Sequence, residues 1–193
     1  MAEAAVDHRR ATAERNATAI LDATERLAAD RSPLNMVAIA AEAGVSRPTL
    51  YAHFKTLGAV VEAAVARAVD GSLAAVAAAQ PGHGPADEAM DRMLATSWQH
   101  LAGLDALARA VAEHLPADHT HRTHAPLMAH MLELVRRGQR DGVFRTDLPA
   151  DWLVTMFYAL VHGADDHARA RRVSRSKALA MLRTSIHDLF SPR

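Results

Sequence analysis

Residues 37–54 read VAIAAEAGVSRPTLYAHF, and this stretch decides how the rest of the chain is interpreted. Two short runs of helix-favouring residues flank Gly44-Val45, and Gly44 permits a tight turn because it accepts a positive φ. Apolar side chains at positions 39, 40, 43, 45, 50 and 54 would form the seam between the helices. The stretch therefore predicts a helix-turn-helix, a motif whose second helix enters the major groove of DNA.

The outward-facing side chains of the second helix suit contact with nucleic acid. Arg47 presents a planar set of donors for guanine or phosphate, and Thr49 offers both a hydroxyl and a methyl group. Tyr51 and His53 can donate to phosphate oxygens, which position a protein on DNA without specifying its sequence. These residues predict DNA binding; two packed helices of an ordinary bundle are the alternative.

Polar residues mark where the two short helices begin. Asn35 can cap the first, Met36–Ala43, by accepting a hydrogen bond from a backbone N–H group, and that N-terminus also favours an anion such as phosphate. Ser46 can cap the second, which ends at His53 or Phe54. Pro48 is tolerated there because the first turn needs no intrahelical N–H donor.

Charge supports DNA binding only locally. The formal net charge of the chain is zero, whereas DNA-binding domains often carry a basic excess. Residues 1–60 balance seven basic against seven acidic side chains, but residues 44–58 contain Arg47, His53 and Lys55 and no acid. We therefore expect the basic surface to be confined to the second helix and the residues after it.

The composition predicts an all-α protein. The chain has 193 residues, half of them hydrophobic, which is enough for one core with a small satellite domain. Alanine and leucine are frequent, and alternating or β-branched runs are nearly absent. Without cysteine, a disulfide framework, a thiolate metal site and a cysteine nucleophile are excluded. The N-terminus lacks an apolar stretch and no apolar run could span a bilayer, so we expect a cytoplasmic protein without a membrane partner.

Periodicity and turn residues predict about nine helices. A polar N-terminal arm, residues 1–11, precedes the first helix, and a loop is expected at residues 114–124. The sequence PGHGP at residues 81–85 is the clearest linker. The predicted helices are Thr12–Ala29, Met36–Ala43, Ser46–Phe54, Leu57–Ala79, Ala86–Ala102, Leu104–Glu113, Pro126–Arg140, Ala150–Ala170 and Ser174–Phe190.

The string from Ile39 through Gly44-Val45-Ser46 to Tyr51-Ala52-His53-Phe54 closely resembles the N-terminal domain of TetR-family transcriptional regulators. The resemblance implies a DNA-binding helix-turn-helix domain at residues 1–56, a connecting helix at residues 57–80 and a ligand-binding and dimerisation domain at residues 81–193. The stretch Gly138–Pro149 also looks like the penultimate turn of that family.

By resemblance, five side chains would face DNA: Ser46, Arg47, Thr49, Tyr51 and His53. Asn35 occupies a place where the family often has threonine. Pro48 stands where a small residue is common, and its backbone lacks a donor. Leu57 stands where the family usually has a phosphate-binding lysine, and we expect Lys55 to substitute for it.

The last two predicted helices are apolar over wide arcs, at positions 152–164 and 178–190. By resemblance they would pair with their copies in a four-helix interface and make the protein a homodimer. A symmetric dimer would place two reading helices about 34–36 Å apart, one turn of DNA. An intramolecular core is the alternative.

A ligand chamber is predicted between the two ends of the chain. Apolar and methionine-rich walls suit adaptable recognition of a small, mostly apolar effector. His130, near the apolar face of its helix, could be a polar group for the ligand or an ordinary core histidine. The other candidates are equally compatible with plain core: Met93, Trp98, Leu101, Leu127, Met131 and Phe157.

Together these features predict a ligand-responsive DNA-binding regulator, a repressor released from a palindromic operator by its effector. No catalytic residue, resident metal or cofactor is predicted. A metal-dependent enzyme using the histidines between His114 and His130 is the second hypothesis, since His119 and His121 have a spacing that could bind a transition metal. It lacks a helical HExxH pattern. A helical module that binds protein is the third.

Overall fold

The protein is all-helical in the computed structural model, which describes residues 2–96, 98, 107 and 118–192. These residues form eight helices and no strand. The bounds are α1 Ala2–Ala29, α2 Met36–Glu42, α3 Arg47–His53, α4 Leu57–Ala78, α5 residues 86–96, α6 Asp118–Arg140, α7 Ala150–Arg169 and α8 Arg175–Phe190. The predicted all-α class is confirmed.

The described residues group into two compact units. One comprises residues 2–68 with 107 and 118–121, and the other comprises residues 69–96, 98 and 122–192. The division falls within α4, the helix predicted to connect two domains.

The first unit has a small core made by α1, α2, α3 and the start of α4. Its centre is fully or almost fully buried, and a ring of half-buried apolar residues packs around it. Leu57 belongs to this ring, so its apolar side chain packs against the core at a position where TetR-family regulators usually have lysine. The central residues are Ile20, Ile39, Ala40, Leu50 and Val60.

The turn between α2 and α3 depends on Gly44. Its φ of 66° lies in the left-handed region, where a residue with a Cβ is strained. The amide of Val45 then donates to the carbonyl of Ala40 at 3.1 Å and closes the end of α2. The predicted helix-turn-helix is therefore present with its expected turn residue.

The N-terminal arm was predicted wrongly. Residues 2–11 are helical and continue into α1. Alanine and arginine have high helix propensity, and Arg10 pairs with Glu14 one turn later at 3.0 Å. These local preferences extend α1 beyond the apolar stripe that marked its predicted start at Thr12.

The second unit is built on buried stripes of α5, α6, α7 and α8, and α7 packs along α8. Asp165 on α7 is 1% exposed and pairs with Arg169 one turn later, while Arg175 lies 3.9 Å from its other oxygen. The stripes include Met90, Leu94, Leu134, Val135, Leu153, Val161, Leu182, Ile186 and Phe190.

The start of α6 also differs from the prediction. The helix begins at Asp118, so the backbone of residues 118–124 is helical and not a loop. Pro126 accordingly lies inside α6, where it removes one backbone hydrogen bond, and not at the first turn. The predicted helix Leu104–Glu113 lies outside the described residues except for Leu107, which is helical and buried.

Candidate nucleic-acid interface

The start of α3 is organised by Ser46. Its hydroxyl oxygen accepts a hydrogen bond from the amide of Thr49 at 3.2 Å and shares a second one, of 2.7 Å, with the Thr49 hydroxyl. Pro48 is the second residue of the helix, as the missing N–H group permits. Ser46 and Thr49 thus fix the first turn of α3.

The predicted DNA contacts lie on one short segment with different exposures. Arg47, Pro48, Tyr51 and Lys55 are exposed, and His53 is half-buried. Tyr51 keeps 45% of its surface accessible, which is unusual for a large apolar ring. The segment therefore presents two cationic groups and an aromatic ring to its surroundings.

Asn35 uses its side chain within its own helix. Its Oδ1 accepts from the amides of Val37 and Ala38, at 3.1 and 2.9 Å. Two of the amide groups that the sequence suggested for a phosphate are therefore already satisfied. The sequence reasoning missed Val37 beside it, which is 50% exposed although apolar.

Thr56 is a second residue that the sequence reasoning missed. Its hydroxyl accepts from the amide of Ala59 at 3.2 Å and caps α4, three residues after the end of α3. A threonine three residues before a helical amide is the ordinary signature of an N-cap. Asn35, Ser46 and Thr56 thus cap three successive helices, and all three are exposed.

Two arginines of this unit form ion pairs with three acidic side chains of neighbouring helices. Glu42, the acid nearest to α3 in sequence, accepts from Arg26 Nε at 2.8 Å and joins α2 to α1. Arg67 on α4 contacts Asp22 and Glu25 on α1 at 2.8 and 2.7 Å. Partial burial lowers the pKa of Arg67, but the hydrogen bonds and charges of Glu25 and Asp22 outweigh it and raise the pKa. The acids therefore stabilise helix packing.

This helical unit matches a known family. The family described as bacterial regulatory proteins, tetR family, matches residues 20–64, which span the end of α1, the helix-turn-helix and the start of α4. Residues 20–64 are therefore the part of the chain that is similar in sequence to TetR-family regulators. Proteins of the TetR family are DNA-binding transcription factors and not enzymes.

Solved structures resemble the chain over most of its length. A TetR-family regulator from Rhodococcus sp. is 24% identical, covers 92% of this chain and 100% of its own, and has a TM-score of 0.70. The regulator LfrR from Mycobacterium smegmatis in complex with proflavine is 23% identical, covers 90% of this chain and 94% of its own, and has a TM-score of 0.72. A regulator from Saccharomonospora viridis in complex with choline is 22% identical, covers 89% of this chain and 93% of its own, and has a TM-score of 0.71. At these identities the likeness shows a common fold, the TetR fold.

No curated protein sequence matches the chain. Within the described residues, no helix combines the length and the hydrophobicity needed to cross a membrane.

Most of the residues predicted to line a ligand chamber are buried, but one is exposed and one lies outside the described residues. His130 is exposed, which differs from the expected position near the apolar face. The reason is that the buried stripe of α6 follows positions 127, 131, 134, 135 and 138, and position 130 lies at its edge. Leu101 is outside the described residues. The remaining five are buried: Met93, Trp98, Leu127, Met131 and Phe157.

Two cavities in the second unit are lined by described residues, and neither includes those five side chains. One, of about 240 Å³, lies between α7 and α8 against Gly163, Ala178 and Met181. The other, of about 470 Å³, lies against α5, the α6–α7 turn and the end of α8, with Met90, Phe144 and Phe190 among its walls.

The histidine cluster contributes no metal site to the described part of the chain. His114 lies outside it, and the side chains of His119, His121 and His124 are likewise not described. Elsewhere in the described residues, no three histidine or carboxylate side chains are grouped as a metal site requires.

Proposed function

We propose that the chain is a ligand-responsive transcriptional regulator, a repressor that binds a palindromic operator as a homodimer and is released by a small, mostly apolar effector. Residues 1–56 would bind DNA, residues 57–80 would connect the domains, and residues 81–193 would bind effector and partner. The observation that carries the proposal is the acid-free start and flank of α3, with Arg47 and Lys55 exposed, within a segment that matches the tetR family.

The DNA contacts of the proposal divide into two roles. Arg47 is exposed and makes no hydrogen bond or ion pair within the described residues, so its donors are available to a guanine edge. Tyr51, His53 and Lys55 would contact phosphates and set the orientation of the helix. Asn35 would act through the start of α2 and not through its capping oxygen.

The outer face of α7 and α8 supports a homodimer. Trp152 and Met181 are 53% and 45% exposed, so each has apolar surface that a partner could bury. The groove between the two helices is lined by small residues, including Ala159, Gly163 and Ala164, which allow close approach of another helix. A second copy using the same surface would cover both features in a symmetric interface.

The interior of the second unit supports a small effector. Trp98 is 4% exposed, its Nε1 has no hydrogen-bond partner among the described residues, and the Arg175 guanidinium lies 6.0 Å from its ring centroid. A buried indole N–H without an acceptor is costly, and a ligand could satisfy it. Two of the structures with this fold contain small organic molecules, proflavine and choline.

Selection of bound DNA from a random pool tests the proposal. We expect a palindromic site whose half-sites are one DNA turn apart, and Arg47→Ala should weaken its binding by roughly 1–3 kcal/mol. Lys55→Ala should weaken binding evenly across sequences and lower the salt slope by about one. Lys177→Ala, which replaces an exposed lysine of α8, is the matched control and should leave both the binding affinity and the salt slope unchanged. Failure to enrich any sequence would contradict the proposed function.

Sedimentation tests the homodimer separately. The wild type should be dimeric at micromolar concentration, and Trp152→Glu should shift it to monomer because a charge on the exposed face of α7 would be buried at the interface. Glu133→Ala, which replaces an exposed residue of α6, is the control and should remain dimeric. A monomeric wild type would contradict the dimer and leave the DNA-binding assignment to its own test.

A further inference from the structure

Trp98 carries a hydrogen-bond donor that the fold buries and leaves unused. The residue lies two positions after the end of α5 and is 4% exposed, and its Nε1 has no hydrogen-bond partner among the described residues. An indole N–H group can only donate. A molecule that satisfies it must therefore present an acceptor, such as the oxygen of a carbonyl or carboxylate group.

Arg175, the first residue of α8, places a second set of unused donors beside the same ring. Its guanidinium carbon lies 6.0 Å from the ring centroid of Trp98, within reach of a cation–π contact. Arg175 makes no hydrogen bond within the described part of the chain. Its ion-pair contact, from Nη2 to Oδ1 of Asp165, is 3.9 Å long, which is too far for a hydrogen bond. Two neighbouring side chains thus offer N–H donors that have no acceptor.

The charges near Trp98 favour an anionic acceptor. Asp165 is 1% exposed, and its other oxygen pairs closely with Arg169 one turn later. Arg175 shares this carboxylate with Arg169 and lies farther from it, so Asp165 balances the charge of Arg175 only in part. A cationic group placed against the indole would be repelled by Arg175, whereas a carboxylate would be attracted. A carboxylate also has two oxygens, one for Nε1 and one for the guanidinium.

We propose that the effector is an organic acid, an apolar molecule whose carboxylate accepts hydrogen bonds from Trp98 Nε1 and from Arg175. Its body is apolar because the residues before Trp98 on the same side of the chain, Met93 and Leu94, are 4% and 1% exposed and belong to the apolar interior of the second unit. Trp98 and Arg175 are then its specificity-determining residues. This inference rests on the proposed ligand-responsive function and adds the chemical class of the effector.

Three eight-carbon compounds test the class of the effector. Octanoate, octanol and octylammonium share one apolar chain and differ in the head group, and calorimetry with the full-length protein at neutral pH measures each dissociation constant. We expect octanoate to bind about 10-fold more tightly than octanol, the lower end for a hydrogen bond to a charged group, and octylammonium to bind most weakly. A preference for octanol or octylammonium, or no binding of octanoate at millimolar concentration, would overturn the inference.

Indole resonances show whether Trp98 is the donor. The chain has two tryptophans, so an isotope-labelled sample gives two indole N–H signals, and the signal that is missing in Trp98→Phe belongs to Trp98. Octanoate should move the Trp98 proton downfield, as formation of a hydrogen bond does, and leave the Trp152 signal in place. An unmoved Trp98 signal in protein saturated with octanoate would contradict donation to the carboxylate.

Two substitutions separate the contributions of the two side chains. Trp98→Phe keeps a buried aromatic ring without its donor and should weaken octanoate binding about 10-fold. Arg175→Gln removes the charge from a side chain that is 56% exposed and should lower the affinity for octanoate to that for octanol. Arg172→Gln, an exposed residue of the turn before α8, is the matched control and should bind octanoate as the wild type does. Circular dichroism checks the folding of each variant, and unchanged octanoate binding in folded Arg175→Gln would refute the role of the guanidinium.

The outcomes separate this inference from the function on which it rests. A wild type that selects a palindromic operator and is released by octanol or octylammonium, but not by octanoate, would still be a ligand-responsive regulator, with an effector of another class. Octanoate binding that depends on Trp98 and Arg175, in a protein that selects no DNA sequence, would leave the acid site standing and refute the proposed regulator.

Discussion

Residues 35–56 contain the caps of three successive helices, and residues 79–84 connect α4 to α5. The two segments differ in whether their hydrogen bonds join residues that are close or distant in sequence. In the first segment Asn35, Ser46 and Thr56 each accept from an amide two or three residues further along the chain. In the second segment five carbonyls accept from only two side chains, Arg92 and Arg137.

The arginine contacts of the second segment are distant in sequence. Arg92 on α5 donates to the carbonyls of residues 79, 80 and 83, and its bond to His83 is 2.5 Å long. Arg137 on α6 donates to Gly84 at 2.6 Å and to Pro81 at 2.7 Å, across 53 and 56 residues. The conformation of the first segment thus follows from its own residues, whereas that of the second depends on other helices. How much a polar contact with a distant partner stabilises the fold depends in addition on how deeply it is buried.

The largest expected effect is at Asp165, the most buried charged side chain among the described residues of the second unit. Asp165→Ala leaves Arg169, whose side chain is 22% exposed, without the carboxylate it pairs with. Breaking a buried pair in this way costs roughly 3–5 kcal/mol. Urea denaturation should show a loss of about 3 kcal/mol in the free energy of unfolding.

Asp188→Ala is the matched control, because the Asp188 side chain is 78% exposed on α8. It should change the free energy of unfolding by at most about 0.5 kcal/mol. Equal effects of the two substitutions would break the link between burial and the strength of a polar contact.

A smaller effect is expected at Arg137. Arg137→Ala removes two charge-assisted hydrogen bonds from carbonyls of the linker, and at this partly exposed site we expect a cost of about 2 kcal/mol. Amide hydrogen exchange should accelerate at residues 80–84. Arg136→Ala, on the exposed side of the same helix, should leave exchange unchanged. Unchanged exchange in Arg137→Ala would show that the linker keeps its conformation without the arginine.

The cap at Thr56 tests whether local hydrogen bonds stabilise the first segment. Thr56→Ala removes the cap of α4 and should lower the free energy of unfolding by about 1 kcal/mol. Thr56→Ser keeps the capping oxygen and should stay within about 0.5 kcal/mol of the wild type. Denaturation curves of the three proteins check this. A loss in Thr56→Ser as large as in Thr56→Ala would assign the effect to the methyl group and not to the cap.

The smallest effect at neutral pH concerns Tyr158 on α7. Burial raises the pKa of Tyr158 to about 12 from its ordinary value of 10. Because the folded protein favours the neutral phenol, this contribution to stability is complete below pH 10 and is lost as the pH rises from 10 to 12. The substitution Tyr158→Phe should therefore remove the decline in stability that falls between these two pH values.

An absorbance titration measures the pKa directly. The chain has two tyrosines, so Tyr51→Phe leaves the phenol of Tyr158 as the only one. After a rapid pH jump, the folded variant should give a midpoint near 12, and the variant unfolded in urea should give one near 10. A midpoint near 10 in the folded variant would mean that water reaches this side chain.

Much of the first unit was predictable because its decisive contacts are local. Gly44, the caps Asn35 and Ser46, and Pro48 in the first turn act within a few residues, so spacing reveals them. Thr56 carried the same signal and could have been found. The exposed Val37 is harder to predict, because periodicity does not say which apolar residue the neighbouring helices leave uncovered.

The second unit was predicted less completely for a physical reason. The predicted bounds Ala150–Ala170 and Ser174–Phe190 differ from those of α7 and α8 by a single residue at one end. The exposure of His130 and the burial of Asp165 depend on which helices pack where, and the sequence pattern of one helix does not contain that information. The helical backbone of residues 118–124 likewise differs from the loop predicted at residues 114–124.

The sequence by itself determined the all-helical class, the helix-turn-helix at residues 37–54 and the residues that face outward from α3, because helix propensity, capping and a positive-φ glycine act over a single turn. Tertiary structure alone decided which other side chains are buried and which carbonyls they hold. Leu57 packs against the core of the first unit, and Arg92 and Arg137 fix a linker far from them in the chain. Each of these depends on distances in space that residue order does not encode.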